Sequence, residues 1–284
     1  MKVVLTGASG GVGRIVQQLA SGQSRMELAA YSRHELNILD KQALMDCLSS
    51  LKPEYLINTA AFTHVDQAEK EPEAAFLLNA GCLEGMAEAC RKTGTTLIHL
   101  STDYVFDGTK RTPYTEDDLP APVNTYGASK RAGELIVLSY SRGIVVRTSW
   151  VYSRHSRNFL AAIPGLLRSQ SEPLYVDTLQ TNSPTYAHDL VNGLFALIGA
   201  NVHNGLFHFT NTGGGCTRYA FACRIREMIL KNDPEASPAM VLPMYAEVPG
   251  GAPRPVYTVM SPEKIAQLTG MVIPHWQEGI DNII

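Results

Sequence analysis

"KVVLTGASGGVGR", residues 2–14, decides the fold. "KVVLTG" (2–7) reads as a strand running into a glycine turn, and "GRIVQQLAS" (13–21) reads as the helix that leaves it. Between them Gly7, Gly10 and Gly13 form G-x-x-G-x-x-G. In a phosphate-binding turn the first glycine permits the tight turn. The second lets a pyrophosphate approach the backbone, and the third lets helix and strand pack closely. The helix N-terminus then offers unpaired N–H groups and the positive end of its dipole. Glycine clusters also make plain turns. The place of this one, directly after a strand and before a helix, favours dinucleotide binding.

Outward from this turn the first half repeats the same alternation. "MELAAY" (26–31), "YLINTAA" (55–61), "TTLIHLST" (95–102) and "GIVVRTS" (143–149) read as strands. "DKQALMDCLSSL" (40–51) and "PEAAFLLNAGCLEGMAEACRKTG" (72–94) read as helices, the second with Pro72 near its start and Gly94 past its end. Strands alternating with helices imply crossover connections and a parallel sheet. The apolar strands predict burial on both faces. The fold class is therefore α/β: a doubly wound parallel sheet of the Rossmann type. Residues 1–150 form the expected dinucleotide-binding domain. Residues 151–284 form a smaller, irregular, mainly substrate-binding portion, interleaved with the first. Within it "VLPMYAEVPGGAPRPVY" (241–257) shows no periodicity.

Composition narrows the function classes. The chain has 284 residues, 45% hydrophobic and 18% charged, with a net charge of −3, which offers no basic surface for nucleic acid. No apolar run reaches the length of a membrane span, and "MKVVLTGASG" is too short for a signal-peptide core. Five cysteines without CxxC spacing read as free thiols in a reducing cytoplasm, with no metal site. The histidines His64, His99, His155, His188, His203 and His208 are scattered and read as surface or satisfied structural residues. Asp66 and Glu69 read as charges at the start of a short helix.

The end of the second strand bears on the cofactor. An acid there binds the ribose 2′-hydroxyl of NAD, and an arginine suits the 2′-phosphate of NADP. The chain has Ser32 and Arg33, with no acid before Glu35, which favours NADP and leaves NAD as a second cofactor. The fourth strand ends in "LSTDYVFDG" (100–108), and "NTYGASKRAGE" (124–134) follows on a helix. Tyr126 and Lys130 share one helix face, a spacing that also arises by chance. A strand-end hydroxyl, Thr102, followed by Tyr-x-x-x-Lys beside a nicotinamide makes a carbonyl-reducing site. A free tyrosine has a pKa near 10, and a nearby lysine cation lowers it. Tyr126 is the expected proton donor and Thr102 the group that polarises the carbonyl.

With these motifs the chain resembles the extended short-chain dehydrogenase/reductase family, and within it the dTDP-4-dehydrorhamnose reductases. The similarity lies in "NTAAFTHVDQAE" (58–69), "STDYVFDG" (101–108), "YGASKRAGE" (126–134), "RTSWVY" (147–152), "QTNSPTYAHDL" (180–190) and "RPVYTVMSPEK" (254–264), and so covers nearly the whole chain. Phe62 stands where tyrosine is common, Gly11-Val12 where the family often has glutamine, and Asn37 where it has an acid. Leu179 and Asn182 also depart from the pattern. These changes touch adenosine and sugar contacts and leave the catalytic set whole.

The resemblance implies reduction of the C4 ketone of dTDP-4-dehydro-L-rhamnose by NAD(P)H, in nucleotide-sugar and polysaccharide biosynthesis, by a monomer or homodimer. Thr102, Tyr126 and Lys130 are then catalytic, with Lys130 also on the nicotinamide ribose. Cofactor contacts are expected from Gly7, Gly10, Gly11, Val12, Gly13, Ser32, Arg33, Asn37, Ile38, Ala60, Ala61, Phe62 and Thr63, besides Tyr126 and Lys130. Asp103, Val105, Phe106 and Trp150, with Thr102, are candidates for the sugar pocket. Plain strand-end packing is the alternative for Val105 and Phe106. Two other functions share the scaffold. A nucleotide-sugar dehydratase or epimerase would carry Thr-Asp-Glu at the fourth strand end, or a cysteine there, where this chain has Thr102-Asp103-Tyr104. A non-catalytic NADP-binding subunit like the β subunit of methionine adenosyltransferase would have no need of the intact Tyr126 and Lys130.

Overall fold

The alternation of strands and helices closes into one six-stranded sheet in the order β10-β5-β4-β3-β1-β2, and every pairing in it is parallel. The structure, a computed structural model, describes residues 1–155, 158–169, 171–245 and 250–284. The first half comprises β1 (Lys2–Thr6), α1 (Gly11–Ala20), β2 (Glu27–Tyr31), α2 (Lys41–Leu51), β3 (Tyr55–Asn58), α3 (Val65–Lys70), α4 (Pro72–Phe76), α5 (Cys82–Thr93), β4 (Thr96–Thr102), α6 (Thr125–Leu138) and β5 (Gly143–Thr148). The second half adds β6 (Val151–Tyr152), α7 (Phe159–Ser169), β7 (Leu174–Asp177), β8 (Thr181–Asn182), β9 (Thr185–Tyr186), α8 (Ala187–Gly199), β10 (Gly205–His208), β11 (Cys216–Thr217), α9 (Arg218–Asn232), β12 (Val241–Met244) and α10 (Glu263–Thr269).

Side-chain alternation along the strands builds the two cores. Val3 and Leu5 of β1, Tyr55 and Ile57 of β3, Ile98 of β4 and Ile144 and Val146 of β5 face Ile15 and Val16 of α1 and Leu190, Val191 and Leu194 of α8. The opposite parity, Val4, Leu56, Leu97 and Val145, packs on Leu44 and Leu48 of α2, Leu83 and Met86 of α5 and Val137 of α6. Helices thus cover both faces, which is why the strands read as continuous apolar runs. The second half supplies β10 and α8 to this body. α10 packs on the same body through Ile265, while β6, α7, β7, β9, β11, α9 and β12 contribute to a separate core around Tyr152, Ile163, Phe221, Ile225 and Trp276.

Towards the carboxyl ends of the strands the α6 side of the sheet turns polar. Thr6, Asn58 and His99 lie in cross-strand register, and Ser101 lies opposite Arg147. All five side chains are buried. Apolar parity continues on the other face, so this row is a local feature of the surface that α6 covers.

The structure departs from the sequence reading at three elements. The helix expected over 72–94 is broken by a π-helical turn at Leu77–Gly81. That turn sets the buried Asn79 amide against the Phe62 N–H (2.8 Å), the Phe62 carbonyl (3.0 Å) and the Ser129 hydroxyl (2.9 Å). β3 ends at Asn58 and not at residue 61, because the chain there turns over Gly7. The stretch 241–257 contains a strand, β12, paired in parallel with β7. Residues 246–249 of that stretch lie outside the described residues.

Candidate active site

The glycine turn is a close-packed backbone junction at the switch point of the sheet, where β2 and β3 flank β1 on opposite sides. Gly7 has φ of +80°, and a Cβ built on it would stand 2.6 Å from the Ala60 nitrogen and 2.7 Å from the Thr59 hydroxyl. A Cβ on Gly13 would stand 2.2 Å from the Gly7 carbonyl oxygen. The first and third glycines therefore have the two roles that the motif requires. Gly10 caps α1 without a side-chain hydrogen bond, and the first turn of that helix carries no acid. Its N–H groups are left for an anion, so the residues present fit a dinucleotide pyrophosphate.

Around this junction the other expected cofactor residues fall into two groups. Gly11, Val12, Ser32, Ala60, Ala61 and Phe62 are half-buried, while Gly10, Arg33, Asn37 and Thr63 are exposed. The Ile38 side chain is buried and packs in the core shared by α2 and α5. Arg33 lies two residues past the end of β2. The acid two positions on, Glu35, is turned back to accept the Ser32 N–H at 2.7 Å.

Thr102, Tyr126 and Lys130 come together at the carboxyl end of β4. Asn124 caps α6 by accepting the Gly127 N–H at 2.7 Å, which starts the helix with Tyr126 in its first turn. The Lys130 ammonium position is fixed over β4, 2.6 Å from the Leu100 carbonyl oxygen and 3.1 Å from His99 Nε2. Tyr104 stands edge-on to the Tyr126 ring at 6.0 Å.

The electrostatics of this group correct one expectation. The Tyr126 phenol is raised above its ordinary value, not lowered. Burial is the main cause, the Asp103 and Tyr104 charges add to it, and only the Thr102 hydroxyl acts against it. Lys130 is turned onto β4, and burial lowers its own pKa to about 8. The site therefore holds a protonated phenol at neutral pH.

The four residues expected in the sugar pocket divide. The Asp103 carboxylate is only 2% exposed. It accepts the Thr102 hydroxyl (3.1 Å), the Ser149 hydroxyl (2.8 Å), the Asn182 amide (2.7 Å) and the Thr258 hydroxyl (2.5 Å). It ties β4 to β5, β8 and the C-terminal segment and orients Thr102; it presents little surface to a sugar. Val105 and Phe106 have no exposed surface and pack with Tyr114 and Met260. That is strand-end packing, and it corrects their assignment to the pocket wall. Trp150 is half-buried, takes a left-handed φ of +43° and lies under the Arg218 guanidinium at 5.3 Å.

Several contributors were hidden in the sequence. His99 is 1% exposed and bridges Asn58 and Lys130, so it belongs to the site. Asp66 does more than complement the α3 dipole: it holds Arg254 through both oxygens (3.0 and 2.9 Å) and accepts the Ala252 N–H. Glu69 caps α6 and not its own helix, accepting the Thr125 N–H at 2.7 Å and its hydroxyl at 2.8 Å. Glu134, one turn after Lys130, is locked to Arg147 and Ser101. The partners of these residues are tens to hundreds of positions away, which no local pattern reports.

All five cysteines are free thiols. Among the described residues no helix is long and apolar enough to cross a membrane, and no three His, Cys, Asp or Glu side chains are grouped to hold a metal ion.

Known proteins share this arrangement over its full length. The RmlD substrate binding domain family matches residues 1–284. A dTDP-4-dehydrorhamnose reductase of Aggregatibacter actinomycetemcomitans is 34% identical, over 99% of this chain and 98% of its own. A dTDP-4-keto-6-deoxy-D-glucose reductase of Streptomyces niveus is 36% identical, over 98% and 94%. The crystal structure of dTDP-4-dehydrorhamnose reductase from Bacillus anthracis in complex with NADP superimposes with a TM-score of 0.90 at 33% identity, covering 99% of this chain and 98% of that one. With a match that leaves no part of the chain outside it, this protein belongs to the RmlD substrate binding domain family of extended short-chain dehydrogenase/reductases.

Proposed function

We propose that this protein reduces the C4 ketone of dTDP-4-dehydro-L-rhamnose to dTDP-L-rhamnose with NADPH. The observation that carries the reading is the half-buried, protonated Tyr126 phenol beside the Thr102 hydroxyl, on the same sheet as a glycine turn shaped for a dinucleotide. Full-length similarity to reductases named for that sugar gives the substrate. The reduced nicotinamide, when bound, supplies the hydride.

The chain's own residues supply the rest. Ketone reduction needs an acid in the transition state, and a phenol with a raised pKa stays in the acid form at neutral pH. Tyr126 donates its proton to the carbonyl oxygen as negative charge develops there. Thr102 is held by Asp103 at the same oxygen and stabilises that charge by a hydrogen bond. Lys130, one turn after Tyr126 on α6, would hold the nicotinamide ribose. The Thr102-Asp103-Tyr104 triplet offers no second carboxylate for eliminating water. Tyr104 is itself raised to about 12 by burial and cannot replace one near neutrality.

The test is turnover with paired readouts. The protein is given the 4-keto-6-deoxy nucleotide sugar, before and after 3,5-epimerisation, with NADPH. One NADPH oxidised per new 4-hydroxyl, with the epimerised sugar preferred, is the expected result. Sugar conversion without nicotinamide oxidation would make the protein an epimerase or dehydratase. Preference for the sugar that has not been epimerised would move it to a different 4-keto substrate.

A further inference from the structure

Two guanidinium groups oppose, by their charge, the effect of burial on the Tyr104 phenol: Arg254 from the C-terminal segment and Arg218, the first residue of α9. The two cations differ in what balances them. Arg254 is held by Asp66 through both carboxylate oxygens. Arg218 is half-buried, and among the described residues its guanidinium makes no ion pair and no hydrogen bond. The first turn of α9 holds no acid. A cation at the start of a helix also meets the positive end of the dipole, so nothing on its own element offsets its charge.

The neighbours of Arg218 pin it without satisfying it. The guanidinium carbon lies 5.3 Å from the centre of the Trp150 ring and 5.8 Å from that of Phe159, at the start of α7. Cation–π contact consumes none of the five N–H donors, which stay free for a bidentate acceptor. Trp150 is itself held in a costly way. It is a bulky residue at φ of +43°, and its buried indole nitrogen has no acceptor. Backbone strain of this kind gathers at ligand sites.

Place in the fold decides which anion fits. Trp150 lies two residues past β5, and β5 runs beside β4 with Thr148 opposite Thr102. Ligands of an open α/β sheet lie beyond such strand ends. The glycine turn that suits the dinucleotide pyrophosphate follows β1, and β3 and β4 stand between β1 and β5. At about 4.8 Å per strand spacing the two places are roughly 14 Å apart, too far for one pyrophosphate to serve both. We propose that Arg218 recognises the diphosphate of the nucleotide sugar, with Trp150 and Phe159 holding its guanidinium in place. The reductase reading supplies the owner of that diphosphate; the need for an anion comes from Arg218 alone. A diphosphate diester carries negative charge on each phosphoryl group, and its oxygens accept a guanidinium fork in pairs. It brings the counter-charge that the chain does not.

Calorimetric titration of the full chain, saturated with NADP⁺ so that the glycine turn is occupied, tests this with two probes, inorganic pyrophosphate and dTDP. Arg218→Met keeps an unbranched chain that packs on both rings and removes the charge and the donors. It should weaken both probes about ten- to a hundredfold, the range of a charge-assisted bond to phosphate. Arg218→Lys keeps the charge without the fork and should fall between the two. Denaturant unfolding checks that each variant is folded, and if Arg218→Met is not, Arg218→Lys decides by the same comparison. Pyrophosphate affinity that is unchanged in the variant overturns the proposal whatever happens to dTDP, because Arg218 would then serve the nucleoside or nothing. Failure of pyrophosphate to bind the wild type overturns it as well, as does its loss in the variant while dTDP still binds as tightly as before. If pyrophosphate binds through Arg218 and dTDP does not bind the wild type, the anion site stands and the dTDP-sugar reading falls. If both probes bind the variant undiminished, that reading stands and the assignment of Arg218 falls.

Discussion

Arg147 grips Glu134 through both carboxylate oxygens, Nε to Oε1 at 2.7 Å and Nη2 to Oε2 at 2.8 Å, and neither side chain is exposed. The pair joins β5 to α6, the helix that carries Tyr126 and Lys130. Burial opposes the Glu134 charge, but the bonds from Arg147, Ser101 and Arg131 together hold the carboxyl below its ordinary range. Removing Arg147 takes two of the four bonds from this buried carboxylate and leaves it only Arg131 and Ser101. Arg147→Met should therefore cost on the order of 3–5 kcal/mol in denaturant unfolding. The double variant Arg147→Met/Glu134→Leu should recover much of that loss. The pH dependence has a definite sign. A carboxyl with a lowered folded pKa contributes stability that is complete above its ordinary value of 4.5 and is lost as pH falls through the folded one. The wild type should lose more stability than the double variant on acidification below that point.

Tyr126→Phe should retain cofactor binding and lose on the order of 10²–10⁴ in turnover, the usual contribution of a general acid. Cofactor titration and steady-state kinetics separate the two effects. The wild-type phenol is raised by burial, so it stays protonated well into the alkaline range. Its ionisation should give kcat/KM for reduction no alkaline limb below about pH 9.5, given the ordinary tyrosine value of about 10. Near-wild-type turnover in the phenylalanine variant would remove the phenol from the chemistry.

Much of this architecture was legible in residues 2–14, because a strand, three spaced glycines and a helix have one common solution at the carboxyl end of an inner strand of a parallel sheet. Thr102, Tyr126 and Lys130 were legible for the same reason: strand end and helix face bring them together whatever lies between. The π turn at Leu77–Gly81 was not, because a shift to i→i+5 bonding has no residue signature. Nor was His99. In "TTLIHLST" it is one of five polar residues with nothing local to single it out, and its meaning comes from Asn58, 41 positions before it, and Lys130, 31 after it. Val105 and Phe106 were ambiguous because the loop from Asp107 to Asn124 folds back and covers them, placing Tyr114 on Phe106 at 4.1 Å.

Arg33→Ala should weaken NADPH binding more than NADH binding. Arg33 is exposed just after β2, where a 2′-phosphate is reached, and among the described residues no carboxylate pairs with it. The neighbouring Glu35 is engaged by the Ser32 N–H. A charge-assisted bond to phosphate is worth about 1.5–3 kcal/mol, so the NADPH dissociation constant should rise about ten- to a hundredfold. Fluorescence titration with both cofactors reads the difference. Equal effects on the two would make Arg33 a bystander.

Asp103→Asn keeps the shape of the side chain but halves its accepting capacity and adds donors. The carboxylate takes four donors, from Thr102, Ser149, Asn182 and Thr258. An amide in its place must turn N–H groups towards hydroxyls or towards the Asn182 amide. Stability should fall by roughly 1–3 kcal/mol, the cost of a buried polar mismatch. Since Thr102 loses its orientation, kcat should fall more than cofactor affinity. A variant with intact kcat and reduced melting temperature would show that Asp103 serves the fold alone.

The same substitution at two glycines should have opposite signs. A Cβ on Gly133 of α6 would stand 2.1 Å from the Asn79 carbonyl oxygen and 2.7 Å from Leu83 Cδ1. The close approach lets α6 seat on the π turn, and the first of these atoms is backbone, which cannot swing aside. Gly133→Ala must therefore push α6 away from Asn79. That loosens the Asn79–Ser129 bond and shifts Tyr126 on the same helix. Overpacking of this kind costs about 1–3 kcal/mol, and turnover should fall with it. At Gly165 of α7 a Cβ would meet nothing within 4 Å, and the backbone there lacks a left-handed φ. Alanine at that position only restricts the unfolded chain and suits the helix, so Gly165→Ala should stabilise by roughly 0.5–1 kcal/mol. Thermal or denaturant unfolding of both variants, with kinetics on each, checks the pair. A Gly133→Ala variant as stable and active as the wild type would show that α6 has room to move, and with it that the Tyr126 position is less tightly set than the packing indicates.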